Sequence, residues 1–146
     1  MYVAPFSLGF PPPSLKIRRF ALNYKKIPFK LVDIPFSSIE STARSLGAPP
    51  TDRFPTTGEP KYTVPSLHDS DKNAVISDSF LIAEYLDAAY PDTPRLLLSA
   101  EDTTAVKNLI EAREEAFRIL VFPVLMPKIV PLYPDELREV FVSRGV

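Results

Sequence analysis

Cysteine is absent from this 146-residue chain, which excludes a disulfide framework, thiolate metal sites and any catalytic or redox thiol of its own. Glycine is scarce, at four residues, and they form neither Gly-x-Gly-x-x-Gly nor a Gly-Lys-Ser/Thr phosphate loop, so nucleotide binding by those devices is excluded. His68 is the single histidine, no acidic set has the spacing of a calcium loop, and no metal is expected. His68 and Asp69 do not make a hydrolytic triad with the many serines, because they are adjacent at a strand end and no nucleophile elbow is present.

Charge of one sign is lacking too. Seventeen Lys plus Arg stand against 18 Asp plus Glu, a formal net charge of -1, and neither nucleic acid nor an anionic membrane is an expected partner. The unbroken apolar runs, such as 96–98 and 119–122, are far shorter than the roughly 20 residues that cross a bilayer, so no membrane span is expected. The first ten residues are apolar but carry no leading positive charge and run into Pro11-Pro12-Pro13, which reads poorly as a secretory signal. A cytoplasmic protein is the expectation.

What the chain does have is proline: 17 residues, well above the usual share of about 5%, stiffening its loops. Hydrophobic residues at 45% and charged residues at 24% are those of a chain that folds, and the length suits one domain or a small domain with part of another.

The hydrophobic pattern gives an order of elements. Ser14 suits the cap of a helix whose apolar stripe is Ile17, Phe20, Ala21 and Tyr24, with Lys16, Arg18, Arg19, Lys25 and Lys26 mostly off it. Pro28 ends that helix, and 29–34 reads as a strand. A second helix opens at Ser37 or Ser38 and stops at Gly47. Residues 48–61 read as an irregular connection. Runs 62–68 and 74–77, separated by a polar turn, predict an antiparallel hairpin, with Pro65 at a strand start, an edge or a turn and open to the cis isomer. Ser77-Asp78-Ser79 starts a third helix that ends at Tyr90-Pro91.

A boundary near residue 95 precedes a long charged helix over 101–122 with Val106, Leu109, Ile110, Phe117, Leu120 and Val121 as its buried stripe. A proline-broken apolar segment and a last helix over 135–144 follow. Only residues 1–8, interrupted by Pro5, are available as a strand before the first helix, so that strand is expected to be short or missing.

Tyr62-Thr63-Val64-Pro65-Ser66-Leu67, the hairpin turn and then Val75-Ile76-Ser77-Asp78-Ser79-Phe80, followed by Ala83-Glu84-Tyr85-Leu86-Asp87, form a distinctive order. It resembles the glutathione-binding, thioredoxin-like N-terminal domain of the glutathione S-transferases. Leu22-Asn23-Tyr24-Lys25, Ile27-Pro28-Phe29-Lys30, Gly47-Ala48-Pro49-Pro50 and Tyr90-Pro91-Asp92-Thr93-Pro94 look closest to the fungal etherase-related members, and the resemblance covers about residues 10 to 125.

The resemblance implies an α/β thioredoxin-like domain over 1–94, with its first strand short or missing, and an incomplete all-α C-terminal domain over 95–146. It implies glutathione as co-substrate, an apolar aromatic electrophile that is conjugated or cleaved, a role in detoxification, and a homodimer. Val64 beside a cis Pro65 would pair with the cysteinyl backbone of glutathione like an added strand. Asp78 and Ser79 would take its γ-glutamyl end.

For thiol activation the resemblance expects a serine where this chain has Pro11, which has neither hydroxyl nor N–H. Ser14 is the nearest substitute as well as the natural helix cap, and Ser7 and Tyr2 are further candidates. Arg113, near the apolar stripe of the long helix, suits either a cleft or a solvated flank. The alternative is a catalytically inactive transferase-like module for binding or dimerisation.

Overall fold

The computed structural model describes residues 2–4, 6–7, 20–54, 57–135 and 138–139. It divides into two compact units, Met1–Leu97 and Leu98–Val146.

The first unit opens with two short strands, β1 (Tyr2–Ala4) and β2 (Phe6–Ser7). Helix α1 follows, described over 20–24, and then β3 (Lys30–Leu31) and β4 (Ile34–Pro35). The same sequence offset relates Tyr2 to Lys30 and Phe6 to Ile34, so β1–β3 and β2–β4 are one parallel pairing in a single register, made in two pieces. The expected first strand is therefore present and short. The single strand expected over 29–34 is likewise split, with exposed Val32 and Asp33 between its halves.

A 3-10 turn (Phe36–Ser38) leads into α2 (Ile39–Ser45). The connection expected to be irregular carries one small antiparallel pair, β5 (Asp52–Arg53) with β6 (Pro60–Lys61). Two residues a side are too few to leave a periodic signature. The hairpin β7 (Ser66–Asp69) and β8 (Ala74–Ser77) joins the main sheet through β1, giving the order β3-β1-β7-β8, and α3 (Ser79–Ala89) completes the unit.

Helices α1 and α2 end alike. In each a residue with positive φ, Lys26 at 56° and Gly47 at 68°, follows the last turn. The next amide reaches back to close it, Ile27 N–H to the Leu22 carbonyl at 3.0 Å and Ala48 N–H to Ala43 at 2.8 Å.

The main core gathers Leu22, Ile27, Leu67, Ile82 and Leu86, with Phe29, Leu31, Ile76, Tyr85, Tyr90 and Leu96 against it. A second cluster joins Ile34 and Ile39 to Phe36, Tyr62 and Val64. Helix α1 meets the core on a different face from the one its pattern predicts. Phe20 is 66% and Tyr24 56% exposed, whereas Leu22 and Lys25 are buried. Lys25 goes inside because Asp87 is there to meet it: their Nζ and Oδ1 are 2.7 Å apart.

A second buried carboxylate stitches the hairpin to α3. Asp69 Oδ2 accepts from the Tyr85 and Tyr90 hydroxyls at 2.7 and 2.6 Å, and Oδ1 from the Asp71 and Lys72 amides at 3.1 and 3.3 Å. Burial raises the pKa of Asp69, but the hydrogen bonds from Tyr90, Tyr85 and the two amides outweigh it, and the net shift is downward. Asp87 behaves alike: burial is outweighed by Lys25 and the amides of Leu96 and Leu97. Burial, then the bond to Asp69, pushes the Tyr85 hydroxyl up and the Tyr90 hydroxyl up to about 12.

In the second unit, Ser99 caps α4 (Ala100–Ala116), its Oγ accepting from the Asp102 amide at 3.0 Å. A π-helical turn (Phe117–Val121), α5 (Phe122–Ile129) and a 3-10 turn (Val130–Leu132) follow. Pro123 has no amide hydrogen to offer the turn before it, and the helix widens there. The stripe expected to be buried is not: Val106, Leu109, Phe117, Leu120 and Val121 are exposed and only Ile110 is half-buried. The helix expected over 135–144 lies largely outside the described residues.

Both carboxyl pKa values are lowered by folding, so the stability they contribute is present above the ordinary carboxylate value of 3.8 and is lost as pH falls through the lowered values. The tyrosine values are raised, so their contribution is complete below the ordinary 10.0 and is lost at higher pH. Thermal melts followed by circular dichroism are expected to show a falling Tm on both sides, below about pH 4 and above about pH 10. A Tm that holds steady down to pH 2 would contradict the burial of these carboxylates.

Candidate functional site

The corner at Val64–Pro65 lies between β6 and β7. Its peptide bond is cis. Ser66, the next residue, opens β7 opposite Ala4 and Ser77, so Pro65 sits at the strand start, where its missing N–H interrupts no ladder bond. The approach is pinned from the side: Thr51 Oγ1 lies 2.9 Å from Thr63 Oγ1 and 3.2 Å from the Lys61 carbonyl oxygen, to which it donates. Val64 packs against Ile34 and Ile39, and the Arg44 guanidinium lies over the Tyr62 ring, 4.9 Å from its centroid.

Helix α3 begins beside this corner. The Asp78 amide donates to the Pro65 carbonyl at 3.2 Å. Beneath them the buried Ser66 and Ser77 hydroxyls lie 3.3 Å apart. Asp78 has φ of 82°, a backbone position that L-residues seldom adopt, and from it Oδ1 accepts from the Phe80 and Leu81 amides at 2.7 and 3.2 Å. Oδ2 accepts no hydrogen bond among the described residues. Ser79, the first residue of α3, is exposed.

Val64, Pro65, Asp78 and Ser79 are thus brought together by one backbone hydrogen bond. Ser14 and Pro11 lie outside the described residues, and Tyr2 and Ser7 stand in β1 and β2. Arg113 is exposed beside Glu114, with 3.5 Å between their charged atoms.

A helix N-terminus with a hydroxyl beside it suits a carboxylate, and the free edge of Asp78 suits an ammonium. The corner therefore has the polarity to receive the two charges of an α-amino acid end. Sequence reasoning missed the part played by the Pro65 carbonyl in joining the corner to α3, which no residue type announces. Among the described residues no group of three His, Asp, Glu or Cys could hold a metal, and no helix is long and apolar enough to cross a membrane.

Residues 13–94 match the model of the glutathione S-transferase N-terminal domain. The chain belongs to the glutathione S-transferase family. Its first unit has the thioredoxin-like α/β fold of that family and is followed by a helical region. The glutathione S-transferase-like protein ustS of Aspergillus flavus is 33% identical over 133 residues, which are 88% of this chain and 46% of that protein. Two glutathione S-transferases of Ceriporiopsis subvermispora, both crystallised with glutathione, superpose with TM-scores of 0.73 and 0.75 at 28% and 30% identity. They match 99% and 95% of this chain, which spans 59% and 56% of theirs. The chain thus covers about half the length of these transferases.

The cap predicts a mutational order. Asp78→Ala removes the oxygen that accepts from two amides and keeps the positive φ, and is expected to lose about 1 to 2 kcal/mol in urea unfolding. Asp78→Gly loses the same acceptor but relieves the backbone, and is expected to cost less. The reverse order would contradict the cap geometry.

Proposed function

We propose that this chain binds glutathione at the Val64–Pro65 corner and the start of α3, and transfers it to, or uses it to cleave, apolar aromatic electrophiles. The observation that carries the reading is the Asp78 amide on the Pro65 carbonyl, which sets the corner's free edge beside an amide-rich helix start within a chain of this family. In this reading the backbone of Val64 pairs with the cysteinyl residue of extended glutathione. The N-terminal amides of α3 and the Ser79 hydroxyl take the γ-glutamyl carboxylate, and Asp78 Oδ2 takes its ammonium. The crystallised relatives that contain glutathione support the choice of ligand. A cytoplasmic homodimer acting in detoxification completes the proposal.

Thiol activation falls to Ser14, whose hydroxyl would stabilise the glutathione thiolate by a hydrogen bond. A second reading, a binding or dimerisation module without turnover, is favoured by Pro11 at the position where the resemblance expects serine.

Calorimetry with glutathione, on the wild type and on Ser79→Ala with its fold checked by circular dichroism, tests the site. Binding by the wild type is expected, weakened by about 1.5 to 3 kcal/mol in the variant, the worth of a charge-assisted hydrogen bond. No binding by the wild type would overturn the proposal. A conjugation assay with an aromatic electrophile then separates the two readings: turnover that falls in Ser14→Ala supports the transferase, and binding without turnover supports the module.

A further inference from the structure

Residues 90–97 have no helix or strand of their own, yet their polar groups are held by side chains of the turn that ends α1, of β7 and of α3. The Tyr90 hydroxyl donates to Asp69. Lys25 Nζ donates to Thr93 Oγ1 at 2.8 Å and to the Pro94 carbonyl at 3.1 Å, besides its pair with Asp87. An ammonium has three protons, so all of Lys25's donors are committed. Thr93 passes its own hydroxyl proton to the Tyr90 carbonyl at 2.7 Å.

Asp87 holds the far end. The Leu96 amide lies 2.9 and 3.0 Å from its two oxygens, and the Leu97 amide donates to Oδ2 at 2.8 Å. Tyr90 and Leu96 meanwhile lie against the main core. Ion pair and segment are mutually dependent: lifting the segment strips Lys25 of two acceptors and Asp87 of two donors, leaving interior charges short of partners. Leu97 is the last residue of the first unit, Leu98 is 71% exposed, and Ser99 already caps α4.

We propose that residues 90–97 are a strap closing the first unit's core, latched by Lys25 and Asp87, so that the unheld stretch ahead of the α4 cap is confined to Leu98. Releasing the latch lengthens that stretch to the whole run from Tyr90 to Leu98 and exposes the Arg95–Leu96 peptide bond.

Amide hydrogen exchange on the full chain tests this. The Leu96 and Leu97 amides, outside any helix or ladder, are expected to be protected like those of the β7–β8 hairpin. Asp87→Asn is expected to speed their exchange about tenfold or more while the hairpin amides change less, and to make Arg95 the first site cut by trypsin. Unprotected Leu96 and Leu97 in the wild type, or a variant that speeds every amide equally, would overturn the strap. Should Asp87→Asn fail to fold, Thr93→Val removes one acceptor of Lys25 and keeps both charges. Faster exchange confined to 90–97 supports the latch, and unchanged exchange there overturns it.

Discussion

Helix α3 is held in place by carboxylates drawn into the interior. Asp69 is fully buried and accepts four hydrogen bonds, two from tyrosines of the helix and its end and two from the hairpin turn. Asp87, on the helix itself, meets Lys25 in the turn that ends α1. A buried charge without partners costs several kcal/mol, so each carboxylate fixes the elements that supply its donors. Three segments, α1, the β7–β8 hairpin and the run after α3, are thereby registered on one helix. Apolar packing by Leu22, Leu67, Ile82 and Leu86 supplies area but tolerates sliding; the hydrogen bonds do not.

The candidate site depends on that registration. Its halves belong to different elements, the Val64–Pro65 corner before β7 and the start of α3, joined by one backbone hydrogen bond between Asp78 and Pro65. Such a bond survives only if α3 neither rotates nor shifts along its axis. Asp69, bonded to Tyr85 and Tyr90, lies at the other end of β7 from the corner, and the Asp78–Pro65 bond stands at the corner itself, so β7 is tied to the helix at both of its ends. The positive φ of Asp78 belongs to the same arrangement: it turns the chain from β8 into α3 while directing its carboxylate onto the Phe80 and Leu81 amides.

Local chemistry was legible in the residues. Gly47 ends α2 at positive φ, Asp78 caps α3, and Pro65 sits at a strand start, each for a reason visible within a few neighbours. The family resemblance rested on the same stretch. Long-range polar pairing was not legible. Charge patterning puts Lys25 on the outside of α1, and only the arrival of Asp87 in the fold makes its burial affordable, which moves the buried face from Phe20 and Tyr24 to Leu22 and Lys25. Asp69 reads as one more polar turn residue, although a tyrosine rather than phenylalanine at positions 85 and 90 was a usable hint that a buried acceptor awaited them. The stripe of α4 follows the opposite logic: its periodicity is sound, but periodicity states what a helix would bury, not what is present to cover it.

Urea unfolding of Asp69→Asn at neutral pH measures the central constraint most directly. The amide has nearly the carboxylate's shape but sets a donor where four donors converge and removes the charge. A loss of about 3 kcal/mol or more is predicted. A variant within about 0.5 kcal/mol of wild type, the range of an ordinary surface change, would contradict the account.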